Sequence, residues 1–449
     1  MFPTALLNNA LASIQQNGRH QRSHTFPQNF GSPRLHSLPF MNNNSRRDSM
    51  SDMPPPRHLM NNPTQDFTLD IVDLTADDTG GGSTNNDRKR KHADGDQNTG
   101  APRPKQKRRT RDADGFTQLS EQIDEYTQEH SQSDDMLQRK QNLRSALQNA
   151  IWRRYPHATV HLVGSTWNGF ASGSSDVDLC VVVEKGKEVN RMECLKYLRA
   201  IEKLVQPINA LQKIELIRAR VPILTFDDSV SGCECDMNIN NETGIRNTHL
   251  LRTYAKMDDR VCPLVLAVKR WAKARKIADA KVGMLSSYSL VLMVLHYLQV
   301  GCWPPVLKSL RKHYPEHFKE DSDVDQLPMS NPAEFIPCND STNNASLGKL
   351  FAGFVHYYDT YHWDTHAISV RAAASLERSS SPHFKDKWIC IEEPFELYNT
   401  ARSVYDFGNF NTIKREFKMT NMRLKQKENP CFEYILNAHV SKEGQSNEA

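Results

Sequence analysis

Residues 161 to 183 read HLVGSTWNGFASGSSDVDLCVVV. One apolar run ends in Gly164-Ser165, and a second opens with Asp176 and Asp178. Carboxylates set beside Leu179, Cys180 and Val181 are costly to desolvate unless a cation compensates them. ATVHLVG and DVDLCVVV both have strand character, and the polar stretch STWNGFASGSS between them reads as a loop. One residue separates Asp176 from Asp178, so on a strand both project from the same face. A third acid, Asp236 in CECDMNI, falls in a later strand-like run and can face them from a neighbouring strand.

Three converging carboxylates repel one another in a partly dry site. They are also the oxygen ligands that Mg²⁺ takes, with phosphates and water completing each octahedron. A pair of Mg²⁺ ions, for which Mn²⁺ can substitute, is therefore the expected compensation. Gly164 permits close backbone approach to a triphosphate, and Ser165 can donate to it. The plainer alternative is a turn beside a solvated acidic strand end. The full set of apolar-Gly-Ser, spacing, Asp-x-Asp and later strand Asp weighs against it.

Composition divides the 449-residue chain near residue 115. Ten of the 23 prolines and no Cys, Trp or Tyr precede that point, so residues 1–115 are expected to be a disordered tail that cannot bury enough surface to order itself. DFTLDIVDLTADD (66–78) resembles a SUMO-interacting motif, which would place a SUMO contact at 70–75, although acid-flanked runs are common by chance. RKRK (88–91) and KQKRR (105–109) suit a nuclear signal, an RNA-phosphate contact or a solvated charged tail. A net charge of +4 fits a polyanionic partner without demanding one. The nine scattered cysteines form no CxxC pair, which suits reduced thiols in the cytoplasm or nucleus. No signal peptide is expected, and the apolar run Leu290–Leu298 is too short for a membrane span.

From Phe116 an apolar stripe at helical spacing (Leu119, Ile123, Tyr126) continues through Met136, Leu143, Leu147 and Ile151. CLKYLRAIEKLVQ is a further amphipathic helix, KIELIRARVPILTFDD and CECDMNINN supply two more strands, and beyond about residue 248 the pattern is mostly helical. Lys269 and Lys273 stand at i, i+4, so both ammoniums can reach one polyanion, or can simply be solvated. Ser286-Ser287 opens a helix whose free N–H groups suit phosphate. Tyr288 beside it can stack on a base or serve as a core aromatic.

The Gly-Ser, Asp-x-Asp and later Asp together resemble the DNA polymerase β-like nucleotidyltransferases. GIRNTHLLRTYAKMDDRVCPLVLAVKRWAK, LSSYSLVLMVLHYLQ and CIEEPFELYNTARSVYD narrow the resemblance to the cytoplasmic poly(A) RNA polymerases of the germ-line-development type, over about residues 116–425. That resemblance implies an α+β fold: a polymerase-β-like nucleotidyltransferase domain of mixed sheet and helices, inserted into a mostly helical central domain, with a cleft between them. It assigns 116–157 to helices of the central domain, 158–248 to the catalytic domain, 249–430 to the central domain with a nucleotide-recognition segment at 388–406, and 431–449 to a flexible tail.

The resemblance also implies roles. Asp176, Asp178 and Asp236 match the metal triad. Gly164 and Ser165 match triphosphate-loop residues, Asn247 and Thr248 ribose and base neighbours, Lys269 and Lys273 phosphate-binding lysines, and Ser287 and Tyr288 a phosphate donor and a stacking ring. Asn399 belongs to the recognition segment. Uridylyl-transferring relatives carry His before that Asn, whereas here Tyr398 precedes Asn399 and the spacer is one residue shorter. ATP is thus the expected substrate, RNA 3′ ends the acceptor, and RNA-binding adaptor proteins the guide to chosen mRNAs. A terminal uridylyltransferase and a catalytically silent scaffold are the alternatives. No RRM, KH or zinc-knuckle string accompanies the motifs.

Overall fold

Ser131–Ser133 cut the N-terminal stripe into two helices that bury in different places. The computed structural model describes residues 115–327 and 341–437, all within one compact unit. The tail expected over 1–115 lies outside these residues but for Gly115, as do the motif at 66–78 with its SUMO contact and both basic clusters. Helix α1 (Thr117–His130) ends before Ser131, and α2 (Asp134–Trp152) starts from Ser133, whose hydroxyl accepts the Met136 N–H at 3.2 Å. Such an N-cap, followed by Asp134 and Asp135, is a strong restart signal. Leu119 and Ile123 join the helical core, whereas Leu143, Leu147, Ala150 and Ile151 pack on the sheet. The assignment of all of 116–157 to the central domain is thereby corrected: α2 belongs to the catalytic half, because its apolar face meets the strands.

The sheet holds β1 (Thr159–Val163), β2 (Val177–Val182), β3 (Leu211–Ile217), β4 (Ile223–Asp228) and β5 (Cys233–Ile239) in the order β1-β2-β5-β4-β3. Only β2 and β5 run parallel. KIELIRARVPILTFDD, read as one strand, is a hairpin of two, since Arg218–Pro222 turns the chain. The stretch after Gly164 is not wholly a loop either, because a short helix α3 (Gly164–Asn168) follows β1 directly. Helix α4 (Arg191–Val205), with a capping box of Asn190 and Glu193, lays Leu195, Leu198, Ile201 and Val205 inward.

The helical half is built from α5 (Glu242–Met257), α6 (Val261–Ala274), α7 (Ser287–His296), α8 (Leu310–His313), α9 (Leu347–Asp359), a β6–β7 hairpin (His366–Ser369, Ala374–Glu377), α10 (Phe407–Gln426) and α11 (Phe432–Leu436). Its centre is Trp271, fully buried against Phe351, Phe354 and Phe417, with Nε1 donating to Thr420 Oγ1 at 3.1 Å. Phe432, Ile435 and Leu436 are buried in the same core, so the flexible tail expected from 431 does not begin there. Residues 438–449 lie outside the described region. Among the described residues no helix is long and apolar enough to cross a membrane.

Candidate active site

A cavity of about 540 Å³ opens between the sheet and the helical core. Its floor is the junction of β1, α3 and β2. Gly164 takes φ +66°, and a Cβ there would fall 2.2 Å from Asp178 Oδ2, so only glycine lets α3 start this close to the acid. The Gly164 N–H donates to Thr248 Oγ1 at 3.0 Å, and that hydroxyl donates to Gly244 O at 2.7 Å. Thr248 therefore pins α3 to α5. Ser165 lines the cavity beside it.

Asp178 lies on β2 and Asp176 just before it, at an exposed position. The parallel register sets Asp178 opposite Asp236 on β5, so their side chains share one face. Burial, and after it the charges of Asp236 and Asp176, push the Asp178 carboxyl up to about 6, against the lowering field of Lys140. Such crowding calls for cations, and an all-oxygen set suits Mg²⁺. The three acids do not close a ready-made ion cage among the described residues. That is the ordinary state of a Mg²⁺ site, whose remaining ligands are substrate phosphates and water. Asn238, two residues past Asp236 and on the same face, also lines the cavity, and its buried Oδ1 has no partner.

The opposite wall comes from the helical half. Lys269 of α6 lines the cavity and donates to Phe170 O at 2.9 Å, and burial lowers its pKa. Ser287, the first residue of α7, is exposed into the cavity, while Ser286 caps the helix by accepting the Ser289 N–H at 3.0 Å. Tyr288 donates to Asn247 Oδ1 at 2.7 Å, and Asn247 Nδ2 donates to Glu393 Oε1 at 2.6 Å. Glu393, fully buried, also accepts the Phe395 N–H at 2.9 Å. This chain of bonds fixes the Tyr288 ring at the cavity edge. Burial first, then Glu393, holds the Tyr288 hydroxyl well above the usual phenol range, so it stays a donor.

The structure thus gathers Gly164, Ser165, Asp176, Asp178, Asn247, Thr248, Lys269, Ser287 and Tyr288 around one space, with Asp236 beside Asp178. Two of the expected residues do not line the cavity. Lys273 is exposed one turn beyond Lys269 and does not line the cavity. Asn399 is buried, with Nδ2 donating to Ile389 O at 2.8 Å and Oδ1 accepting the N–H groups of Ile391 (3.1 Å) and Ala401 (2.9 Å). Its amide holds the loop's own backbone, which leaves Glu396 and Tyr398 to face the cavity instead. Sequence reasoning missed Glu393, Glu396 and Lys140. The last carried a readable signal, since it sits in the apolar stripe between Met136 and Leu143.

Residues 119–256 match the family described as Poly(A) RNA polymerase, mitochondrial-like, central palm domain, and residues 346–399 the one described as Cid1 family poly A polymerase. The chain is 49% identical over 287 residues to the poly(A) RNA polymerase GLD2 of Danio rerio, across 64% of this chain and 58% of that one. With GLD2 of Homo sapiens it is 44% identical over 320 residues, across 69% and 65%. The match therefore spans less than two-thirds of these relatives' length. A chain solved in a GLD-2/RNP-8 complex aligns with a TM-score of 0.62 at 37% identity, covering 71% of this chain and 97% of that one.

Proposed function

The chain belongs to the GLD2 family of poly(A) RNA polymerases, and from that premise we propose that it adds AMP from ATP to RNA 3′ ends. The observation that carries the reading is one cavity with two opposed walls. Asp176, Asp178 with Asp236 beside it on β5, and the amino end of α3 stand on one side; Lys269, Ser287 and the Asn247–Tyr288–Glu393 chain stand on the other.

Asp176, Asp178 and Asp236 would hold a pair of Mg²⁺ ions, which when bound activate the attacking hydroxyl and screen the phosphates. Ser165 and the free N–H groups of α3 orient the triphosphate. Lys269 and Ser287 receive the charge that builds on departing pyrophosphate. Tyr288 offers a face to the base, worth on the order of 1–3 kcal/mol for any nucleotide. Selection falls to the edge: the carboxylate of Glu396 is acceptor-only, so it favours the amine of adenine and disfavours the carbonyl that uracil presents there. An adaptor protein would bring the enzyme to its RNA, as RNP-8 accompanies GLD-2 in the solved complex.

The test is incorporation by the full chain onto a labelled oligo(A) RNA, offering ATP, UTP, CTP and GTP separately with Mg²⁺. A ladder with ATP alone is the expected result. A ladder with UTP overturns the nucleotide assignment. No extension with any nucleotide, even with the RNA tethered to the chain, would make it a scaffold.

A further inference from the structure

Beneath the acidic site lies a charge that the reaction above leaves unused. Lys140 of α2 is 0% exposed. It lies in the stripe with Leu143, Leu147 and Ile151, the face that packs on the sheet, so its stem follows the apolar side chains inward. Its ammonium donates to Ser175 O at 2.8 Å and to Thr166 Oγ1 at 3.2 Å. Thr166 in turn donates to Asp176 O at 2.9 Å. Thr166 belongs to α3, and Ser175 is the residue before Asp176. One side chain therefore ties the Gly-Ser helix to the Asp-x-Asp turn from the protein side.

Neutral oxygens are poor compensation for a buried ammonium. Burial accordingly lowers the Lys140 pKa, while Cys233, Cys235, Asp176 and Asp178 act in the opposite sense. Of these, Asp176 and Asp178 are the carboxylates of the acidic site above. Acids and lysine thus answer one another, each offsetting a cost that the other would bear alone.

We propose that Lys140 is a resident counter-cation and positioning residue of the acidic site. It offsets the mutual repulsion of Asp176 and Asp178 from below, and it holds α3 and the Asp176 turn together before any ion or nucleotide arrives. The inference rests on reading those acids as the metal-holding set, but its test does not need a metal.

Urea denaturation of the full chain in EDTA would compare wild type, Lys140→Met, Asp178→Asn and the double variant. If the charges compensate one another, the midpoint lost through Lys140→Met is smaller in the Asp178→Asn background than in the wild type. Equal losses in both backgrounds overturn the proposal and leave Lys140 a packing residue. Should Lys140→Met not fold, recovery of a folded double variant supports the coupling, and its failure to fold refutes it. Lys140→Gln, which keeps donors but no charge, should lose nearly as much as Lys140→Met; wild-type stability in that variant would also refute it. Mn²⁺ binding to the wild type, followed by its electron paramagnetic resonance signal, separates the two readings. Its absence would sink the metal assignment while leaving the Lys140–Asp178 coupling to stand on its own measurement.

Discussion

Asp178 sits on an apolar strand with Asp176 just before it and Asp236 opposite, and burial together with both charges pushes its carboxyl up to about 6. Asp178→Ala is expected to lower AMP incorporation by about 10³-fold or more, since ion-assisted charge stabilisation is worth several kcal/mol. The fold should persist, because the removal relieves the repulsion among the acids and leaves Asp176 to face the buried Lys140. Unchanged incorporation at matched Mg²⁺ and ATP would refute its role. Glu396→Gln keeps the shape but adds a donor, and should cut the preference for ATP over UTP by about tenfold, or ~1.4 kcal/mol; single-nucleotide incorporation rates read this directly. The acids were legible because strand alternation and spacing are written in the chain. Asn399 and Lys273 were not. Whether an amide serves a ligand or its own loop depends on which backbone groups fold beside it, and Ile389 and Ile391 take this one.

At the scale of elements, α6 shows why its lysine pair parts company. Leu264, Val265, Ala267, Val268 and Trp271 bury most of the helix, Lys269 reaches back to Phe170 O, and Lys273 emerges on the solvent side. Trp271→Ala should cost about 3–5 kcal/mol, the usual range for emptying a large aromatic site, and also strand Thr420 Oγ1. A urea midpoint within error of wild type would show that the ring is not the keystone of this core. The broken stripe at Ser131–Ser133 teaches a related point. Apolar spacing identifies a buried face, yet α1 and α2 turn the same kind of face to different cores, and only the cap at Ser133 marks the division.

Across the whole molecule, acid sensitivity follows from two imidazoles inside the helical half. His249 and His296 are almost wholly buried, and burial, aided at His249 by His317 and Arg252, lowers both to about 4 from an ordinary 6.5. His249 stacks on Phe318, and His296 shares a hydrogen bond of 3.1 Å with Tyr357. A depressed folded value means that the unfolded chain takes up protons first. Stability is therefore full above pH 6.5 and is lost as pH falls toward 4, by about 3 kcal/mol for each histidine. His296→Gln, which cannot titrate, should flatten the dependence of the urea midpoint on pH across that window; an unchanged slope would exclude His296 as a source.

The amino-acid sequence by itself determined the acid triad, the glycine that must approach it, and the helical character of the second half, because each depends on near-neighbour spacing and backbone sterics. Tertiary structure alone decided which groups meet across the chain. Glu393 holds Asn247 from 146 residues away, Thr248 secures Gly164 from 84, and Lys140 reaches Ser175 from 35. A hydrogen bond is specific to the two groups that share it, and periodicity records only the face on which each is carried.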